Sequence, residues 1–418
     1  MERMTNKQLT IIHTSDWHLG QVFHSHDRST EHQRFLEWLV NELTDRQPDA
    51  LLIAGDIFDH ANPSGEAQRL FYRFLSDARW ACPEMDIAII GGNHDSAGRL
   101  EAPAPLLKGM NIRIIGQVND QNAPEHGLIP LHRVDGSVGA WCLGVPFLRA
   151  GDLPRVEGDG DSYPRGIGET YRRHVEAALA KREPDQALIA MGHLHARGGA
   201  TSEDSERRLV VGGQESVDAS IFPEDLAYVA LGHLHLAQNV GGQDRIRYSG
   251  SPLPLSFSEI NYPHQVLQVR FQGYALEQIE TIPVPRPVHM LRVPEKPASL
   301  AQALEQLQAL TLHDVEPGFE PWLEVQVVLD RPEPGLRQAV EEALQDKPVR
   351  LVKITPSRQR AEVDATDNEQ PDTLSLDLQK PDELFIRRHQ EQYGDDPSNV
   401  LKTLFNQVQQ KVSTEDTQ

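Results

Sequence analysis

Residues 9–20 read Leu-Thr-Ile-Ile-His-Thr-Ser-Asp-Trp-His-Leu-Gly, a β-like run, Leu9–Thr14, that stops at a polar turn holding Asp16 and His18. The same punctuation recurs downstream. Runs at Ala50–Ala54, Asp86–Ile90, Gln186–Ala190 and Leu226–Leu231 end in Gly55-Asp56-Ile57-Phe58-Asp59, Gly91-Gly92-Asn93-His94-Asp95, Gly192-His193-Leu194-His195 and Gly232-His233-Leu234-His235. Apolar, β-branched runs of this kind predict strands covered on both faces, and the helix-like separators His32–Leu43 and Glu66–Leu75 predict an α/β fold. In such sheets ligands gather beyond the carboxyl ends of the strands, where these polar residues fall.

Every one of these clusters offers oxygen or imidazole and none offers a thiolate. That mixture suits Mn²⁺, Fe²⁺ or Zn²⁺ better than Ca²⁺ or a structural zinc. If the chain stays extended, the i, i+2 spacing points Asp16 with His18, and His233 with His235, to a common face. Adding Asn93, His193 and a carboxylate at Asp56 able to bridge gives enough donors for two metals. Two metals about 4 Å apart suit in-line displacement at phosphorus.

The order Asp-x-His, Gly-Asp-x-x-Asp, Gly-Asn-His-Asp, Gly-His, Gly-His-x-His resembles the calcineurin-like metallophosphoesterase superfamily. Four stretches narrow the resemblance to the SbcD family of exonuclease subunits: Ser15–Gln21, Glu31–Leu36, Val145–Arg149 and Gly250–Phe257. The resemblance implies an α/β/β/α sandwich, a smaller α+β capping domain and C-terminal partner-binding helices. It implies one metal on Asp16, His18, Asp56 and His235 and another on Asp56, Asn93, His193 and His233, with Mn²⁺ the expected ion. His94 would be the catalytic acid or a phosphate-stabilising group, and Asp95 could fix its tautomer and raise its pKa. The implied activity is double-strand exonuclease and single-strand endonuclease cleavage of DNA by a homodimer bound to an SbcC-type coiled-coil ABC ATPase. His195 stands where related sequences often carry a small hydroxyl residue, so it is not counted as a ligand. Rival readings are a small-molecule phosphoesterase using the same site and a DNA-repair scaffold with a degenerate one.

Other histidines, His24, His26, His32 and His132, are expected at the surface or satisfied in the core. His13 could support the site or belong to the core, and Asp59 could support it, face substrate or cap a helix. Arg28, Arg34, Arg99 and Arg149 lie near the motifs and are candidate phosphate contacts, Arg99 and Arg149 before the others, or else solvated surface charges or internal ion-pair partners. Gly250–Phe257 reads as a Pro-stiffened loop, either a connector or a wall of the substrate groove.

Pro283-Val-Pro-Arg-Pro287 marks a boundary after a first domain of residues 1–282. A capping domain of residues 283–360 should follow, as strand Val288–Val293, helix Leu300–Leu312, strand Trp322–Leu329, helix Leu336–Leu344 and strand Val349–Ile354. Residues 361–418 hold 13 acidic residues against 5 Lys+Arg, with a linker over Glu362–Asp377 and helices expected at Asp382–Tyr393 and Pro397–Val412. This tail accounts for −8 of the formal charge of −22, which argues against tight unaided DNA binding. Two cysteines, Cys82 and Cys142, exclude a disulfide framework, and the start of the chain reads as neither signal peptide nor membrane span, so cytoplasm, at the nucleoid, is expected.

Overall fold

The computed structural model describes residues 7–118, 124–156, 162–200, 216–312, 315–329 and 331–357, and six later residues, Phe385, His389, Pro397, Ser398, Leu401 and Phe405. The chain divides into two compact units, residues 1–359 and 360–418.

The first unit begins with β1 (Gln8–Thr14), α1 (Ser29–Arg46), β2 (Ala50–Ala54), α2 (Gly65–Ala81), β3 (Asp86–Ile90) and β4 (Ile112–Ile115). Next come β5 (Leu128–His132), β6 (Val138–Gly144), α3 (Ser162–Leu179), β7 (Ala187–His193), β8 (Tyr228–Gly232), β9 (Gln238–Val240) and β10 (Gln243–Tyr248). Two further strands, β11 (Gln265–Gln272) and β12 (Ala275–Pro283), return to the first sheet. The strand orders are β12-β11-β1-β2-β3-β4 and β9-β10-β8-β7-β6-β5. Each sheet has a parallel centre, β1 to β4 in the first and β6, β7, β8 and β10 in the second, with antiparallel strands at its margins.

Side-chain alternation makes this an α/β/β/α sandwich. Along β1 and β2, Leu9, Ile11, Ala50, Leu52 and Ala54 enter the core shared with Ala140, Leu188, Ala190 and Ala230 of the second sheet. Their neighbours Ile12, Leu51 and Ile53 turn to Phe35, Leu39, Phe71 and Phe74 of α1 and α2. Each buried Leu, Ile or Phe side chain here contributes about 1.5–3 kcal/mol. Local signals set the helix ends: Ser64 Oγ accepts from Ala67 N at 3.2 Å to start α2, and Gln47 ends α1 in the left-handed region.

Past Pro283 a third, parallel sheet forms from β13 (Met290–Arg292), β14 (Ala298–Ser299), β15 (Trp322–Val328) and β16 (Arg350–Ser357), with α4 (Leu300–Ala309) and α5 (Leu336–Ala343). Ser299 and Gln302 form a capping box at the start of α4. The β-α-β-α-β pattern matches the expected elements, with ends shifted by a few residues. An aromatic seam joins this part to the sandwich: the Trp322 ring stacks on Phe23 at 4.7 Å and 8°, and Phe257, Val288 and Met290 complete the cluster.

In the second unit, the expected linker and most of both helices lie outside the described residues. Phe385, His389, Leu401 and Phe405 are helical, and Phe385 stacks on Phe405 with ring centres 4.3 Å apart.

Candidate metal centre

All seven expected donors converge at the carboxyl ends of β1, β2, β3, β7 and β8. They form two groups. Asp16, His18 and His235 bring ligand atoms within 4.8 Å of one another, and so do Asp56, His193 and His233. Asn93 joins the second group, its Oδ1 lying 3.0 Å from His193 Nε2 and 2.9 Å from His233 Nδ1. Asp56 stands between the groups, with Oδ2 3.6 Å from His18 Nε2 and 3.3 Å from His193 Nε2.

The convergence does not come from strand alternation. Strand β1 ends at Thr14 and β8 at Gly232, and Asp16, His18, Asp56 and His233 have φ of 55°, 46°, 48° and 102°. Non-glycine residues in this region store strain and persist only where the surroundings over-determine them. Here they do. Asp16 N, His18 N and Leu19 N donate to Gly55 O, Asp56 O and Ile57 O at 3.0, 3.1 and 2.9 Å, zipping the first two ligand loops together. Between Asp16 and His18, Trp17 is driven into the α1/α2 core, edge-on to Phe35 and Phe74, with Nε1 donating to Thr14 Oγ1 at 2.9 Å. The common-face expectation holds for Asp16 and His18 for this different reason. It fails for His233 and His235, which the turn after β8 sends to different groups.

Glycines make room for this crowding. Gly55 has φ of 90°, and a Cβ there would overlap the His193 ring; a Cβ on Gly92 would overlap the Asp56 carboxylate.

Three of the four histidines have a fixed tautomer. His18 Nδ1 faces Asp59 Oδ1 at 3.2 Å, His193 Nδ1 faces Ala54 O at 2.9 Å, and His235 Nδ1 faces Glu259 Oε1 at 2.8 Å. Each acceptor holds the proton on Nδ1 and leaves Nε2 with a lone pair for a metal. His18 Nε2 is buried with no hydrogen-bond partner, a cost that a cation would remove. With the all-oxygen-and-imidazole donor set, these features fit a divalent ion.

The electrostatics agree. Burial would raise the Asp56 carboxyl, but the His193, His18 and His94 rings outweigh it and hold it well below the usual carboxylate range. Burial likewise works against the His193 imidazolium, yet Asp56 and Asp16 push its pKa up to about 9. Without a cation a proton therefore sits between these groups, and binding a metal releases it. Burial also pushes up Asp16 and keeps His233 well below the usual imidazole range.

His94 lies beside the donors, its ring centre 4.8 Å from that of His18 and its main-chain N donating to Asp56 Oδ1 at 2.9 Å. Its tautomer partner is Asp59 O, 2.7 Å from Nδ1. This corrects the role expected of Asp95. That carboxylate accepts from Ile57 N, Phe58 N and Gly92 N at 3.1, 3.0 and 2.8 Å, fastening the Asp56 loop to the Asn93 loop. Burial and the neighbouring Asp56 push the Asp95 carboxyl up to about 6.

Other expectations change too. Arg28 is not a phosphate contact: it is 1% exposed, bound to Glu31, Gln21 and Pro254 O, and lies over the Trp322 ring at 5.2 Å. Arg34 pairs with Glu316 at 2.9 Å. Arg99 and Arg149 are exposed, Arg149 over the Phe147 ring at 5.7 Å. Gly250–Phe257 is buried throughout. His32 is buried with neither ring nitrogen hydrogen-bonded, so it is not satisfied, and His13 is core, its Nδ1 2.9 Å from Tyr228 OH across the two sheets. His195 joins neither donor group, and its ring centre lies 6.3 Å from that of His233. Glu259 was missed altogether, because nothing in its spacing from His235 signals the contact.

Comparison with known proteins agrees with this geometry. Residues 9–237 match the calcineurin-like phosphoesterase family, and residues 285–393 match the SbcD_C family, described as type 5 capsule protein repressor C-terminal domain. The SbcD subunit of the SbcCD nuclease of Rhodobacter capsulatus is 41% identical over 364 residues, covering 84% of this chain and 88% of that protein. The SbcD subunits of the nucleases from Escherichia coli K12 and Bacillus subtilis are 33% and 37% identical, covering 91% and 62% of this chain and 92% and 65% of their own lengths. The chain therefore belongs to the SbcD family, and its catalytic domain is a calcineurin-like phosphoesterase, a metal-dependent phosphodiester hydrolase.

Proposed function

We propose that this chain is the nuclease subunit of an SbcC–SbcD-type complex, a Mn²⁺-dependent double-strand exonuclease and single-strand endonuclease acting at DNA ends and hairpins in the cytoplasm. The observation that carries the reading is the Asp56 carboxylate lying between two donor groups, 3.6 Å from His18 and 3.3 Å from His193. Asp16, His18, Asp56 and His235 would hold one ion and Asp56, Asn93, His193 and His233 the other. Bound together, two divalent ions supply Lewis acidity at the phosphoryl oxygens and an attacking water of lowered pKa.

The chain's own residues do the rest. The Asp59 carbonyl accepts from His94 Nδ1–H and so orients the ring; as an imidazolium, with a second proton on Nε2, His94 would hand that Nε2 proton to the leaving oxygen and be left as the neutral imidazole. Asp95 holds His94 and Asp56 in register by tying their loops. Arg149 and Arg99 would meet phosphates outside the metal centre. Residues 1–282 act as the nuclease domain and 283–360 as a cap limiting which DNA ends enter. The acidic residues 361–418 supply helices for the ATPase partner, and two copies form a homodimer.

The test is incubation of the purified chain, alone and with an SbcC-type ATPase, with Mn²⁺ and either linear duplex DNA or a small phosphodiester reporter. Metal-dependent shortening of the duplex is expected. Cleavage of the reporter with DNA untouched in both preparations would overturn the reading in favour of a small-molecule phosphoesterase.

A further inference from the structure

Glu259 is completely buried at the end of a short turn, Phe257–Glu259. Its Oε1 lies 2.8 Å from His235 Nδ1 and its Oε2 accepts from Leu255 N at 2.7 Å. A fully buried carboxylate is costly unless its interactions are well formed, and the side chain it meets here is a histidine of the first donor group.

Three arginines grip main-chain carbonyls of the segment carrying Glu259, Arg28 from within the sandwich and Arg286 and Arg292 from beyond residue 282. Arg28 Nη1 donates to Pro254 O at 2.9 Å. Arg292 Nη2, from β13, donates to Phe257 O at 2.9 Å, while its Nε donates to Glu324 of β15 at 2.8 Å. Arg286, between the sandwich and the third sheet, donates to Ile260 O at 2.6 Å and Tyr262 O at 2.7 Å. The Phe257 side chain enters the Phe23–Trp322 seam. A contiguous hydrogen-bonded route thus runs from the cap sheet through Arg292 and the Phe257–Glu259 turn to His235.

We propose that Glu259 is the positioning residue of the first metal pocket, and that the cap holds it in place through Arg292 and Arg286. By accepting the Nδ1 proton, Glu259 aims the His235 Nε2 lone pair into the pocket shared with Asp16 and His18. The proposal rests on the metal-centre reading above. Carboxylates in this relation to a ligating histidine are worth about 10–100-fold in metal affinity.

The experiment is a Mn²⁺ titration of the full-length, metal-free chain, read by electron paramagnetic resonance, beside the ¹⁵N spectrum of histidine-labelled protein without metal. Glu259→Ala should weaken one ion at least tenfold, leave the other near its wild-type affinity and abolish the His235 Nδ1–H signal. Glu259→Gln, which keeps a neutral acceptor and is the milder change for folding, should fall between wild type and Glu259→Ala. Arg292→Ala should weaken the same ion a few-fold. If wild type binds two ions and both Glu259 variants bind them equally well, or if both ions weaken alike, the proposal is overturned while the metal centre stands. A wild-type chain that binds no Mn²⁺ would overturn the metal-centre reading itself, and the proposal with it.

Discussion

The two donor groups are built by different means. His193 closes the end of β7, with its tautomer set by Ala54 O of the facing β2, a carbonyl that cannot titrate, rotate or be mutated away. Asp16, His18 and His235 lie in turns beyond their strands, and their two histidines lean on the side chains of Asp59 and Glu259. One histidine of the second pocket is thus held by the sheet, whereas both histidines of the first are held by side chains on loops. A main-chain scaffold gives rigidity, whereas a side-chain scaffold leaves the pocket's geometry open to adjustment from a distance.

The comparison is broken most severely at the group both pockets share. Asp56→Asn should cost both ions and lower Mn²⁺-dependent cleavage by about a thousandfold, equivalent to about 4 kcal/mol of lost charge stabilisation. Single-turnover cleavage beside a Mn²⁺ titration checks this, and retention of one tight ion would mean the pockets do not share Asp56.

Next comes His94, which touches both regions and belongs to neither donor group. His94→Gln should lower cleavage by about 10²–10⁴-fold with both ions still bound. Cleavage near the wild-type rate would remove His94 from the reaction.

Gly55→Ala should act on the sheet-held pocket. At φ of 90° with His193 in the way of a Cβ, it should destabilise the chain by more than about 1 kcal/mol and weaken the His193 ion before the His235 ion. Melting curves and metal titration together would show it; a weakening confined to the His235 ion would reverse the assignment.

The smallest effect distinguishes the pockets by pH. His264 links Ser251 O and Glu259 O behind the side-chain-held pocket at 2.8 and 3.3 Å, and burial keeps its imidazole down at about 4. Its folded pKa lies below its unfolded value of about 6.5, so its contribution is complete above that pH and is lost as the pH falls toward 4. At pH 5 the loss is about 2 kcal/mol. Denaturant unfolding of the metal-free chain at pH 7 and pH 5 should show a shallower pH dependence in His264→Asn than in wild type. Equal slopes would mean that this histidine is no acid-sensitive support.

Much of the centre was legible in the sequence because each donor sits at or just past a strand end, and most of those ends are marked by apolar runs that stop at glycine. Strands β2 and β3 came out at their expected bounds, and Asp16, His18, Asp56, Asn93, His193, His233 and His235 meet as a set. What escaped depends on contacts distant in sequence. Glu259 reaches His235 through a turn whose main chain Arg292 grips at Phe257 O, and the burial of Arg28 depends on the rings of Phe23 and Trp322. The partner of His94 was misread because an adjacent carboxylate, Asp95, looked nearer than the carbonyl of Asp59, which the Asp56 loop delivers from 35 residues away. The parting of His233 from His235, which the family resemblance implies and the i, i+2 spacing does not, follows from the backbone turn at His233.

The most direct test of the two-pocket account is anomalous diffraction from crystals of the Mn²⁺-loaded chain. The account predicts two peaks about 3.5–4 Å apart, with Asp56 between them, one bounded by Asp16, His18 and His235 and the other by Asn93, His193 and His233. A single peak, or a pair held by other residues, would contradict it.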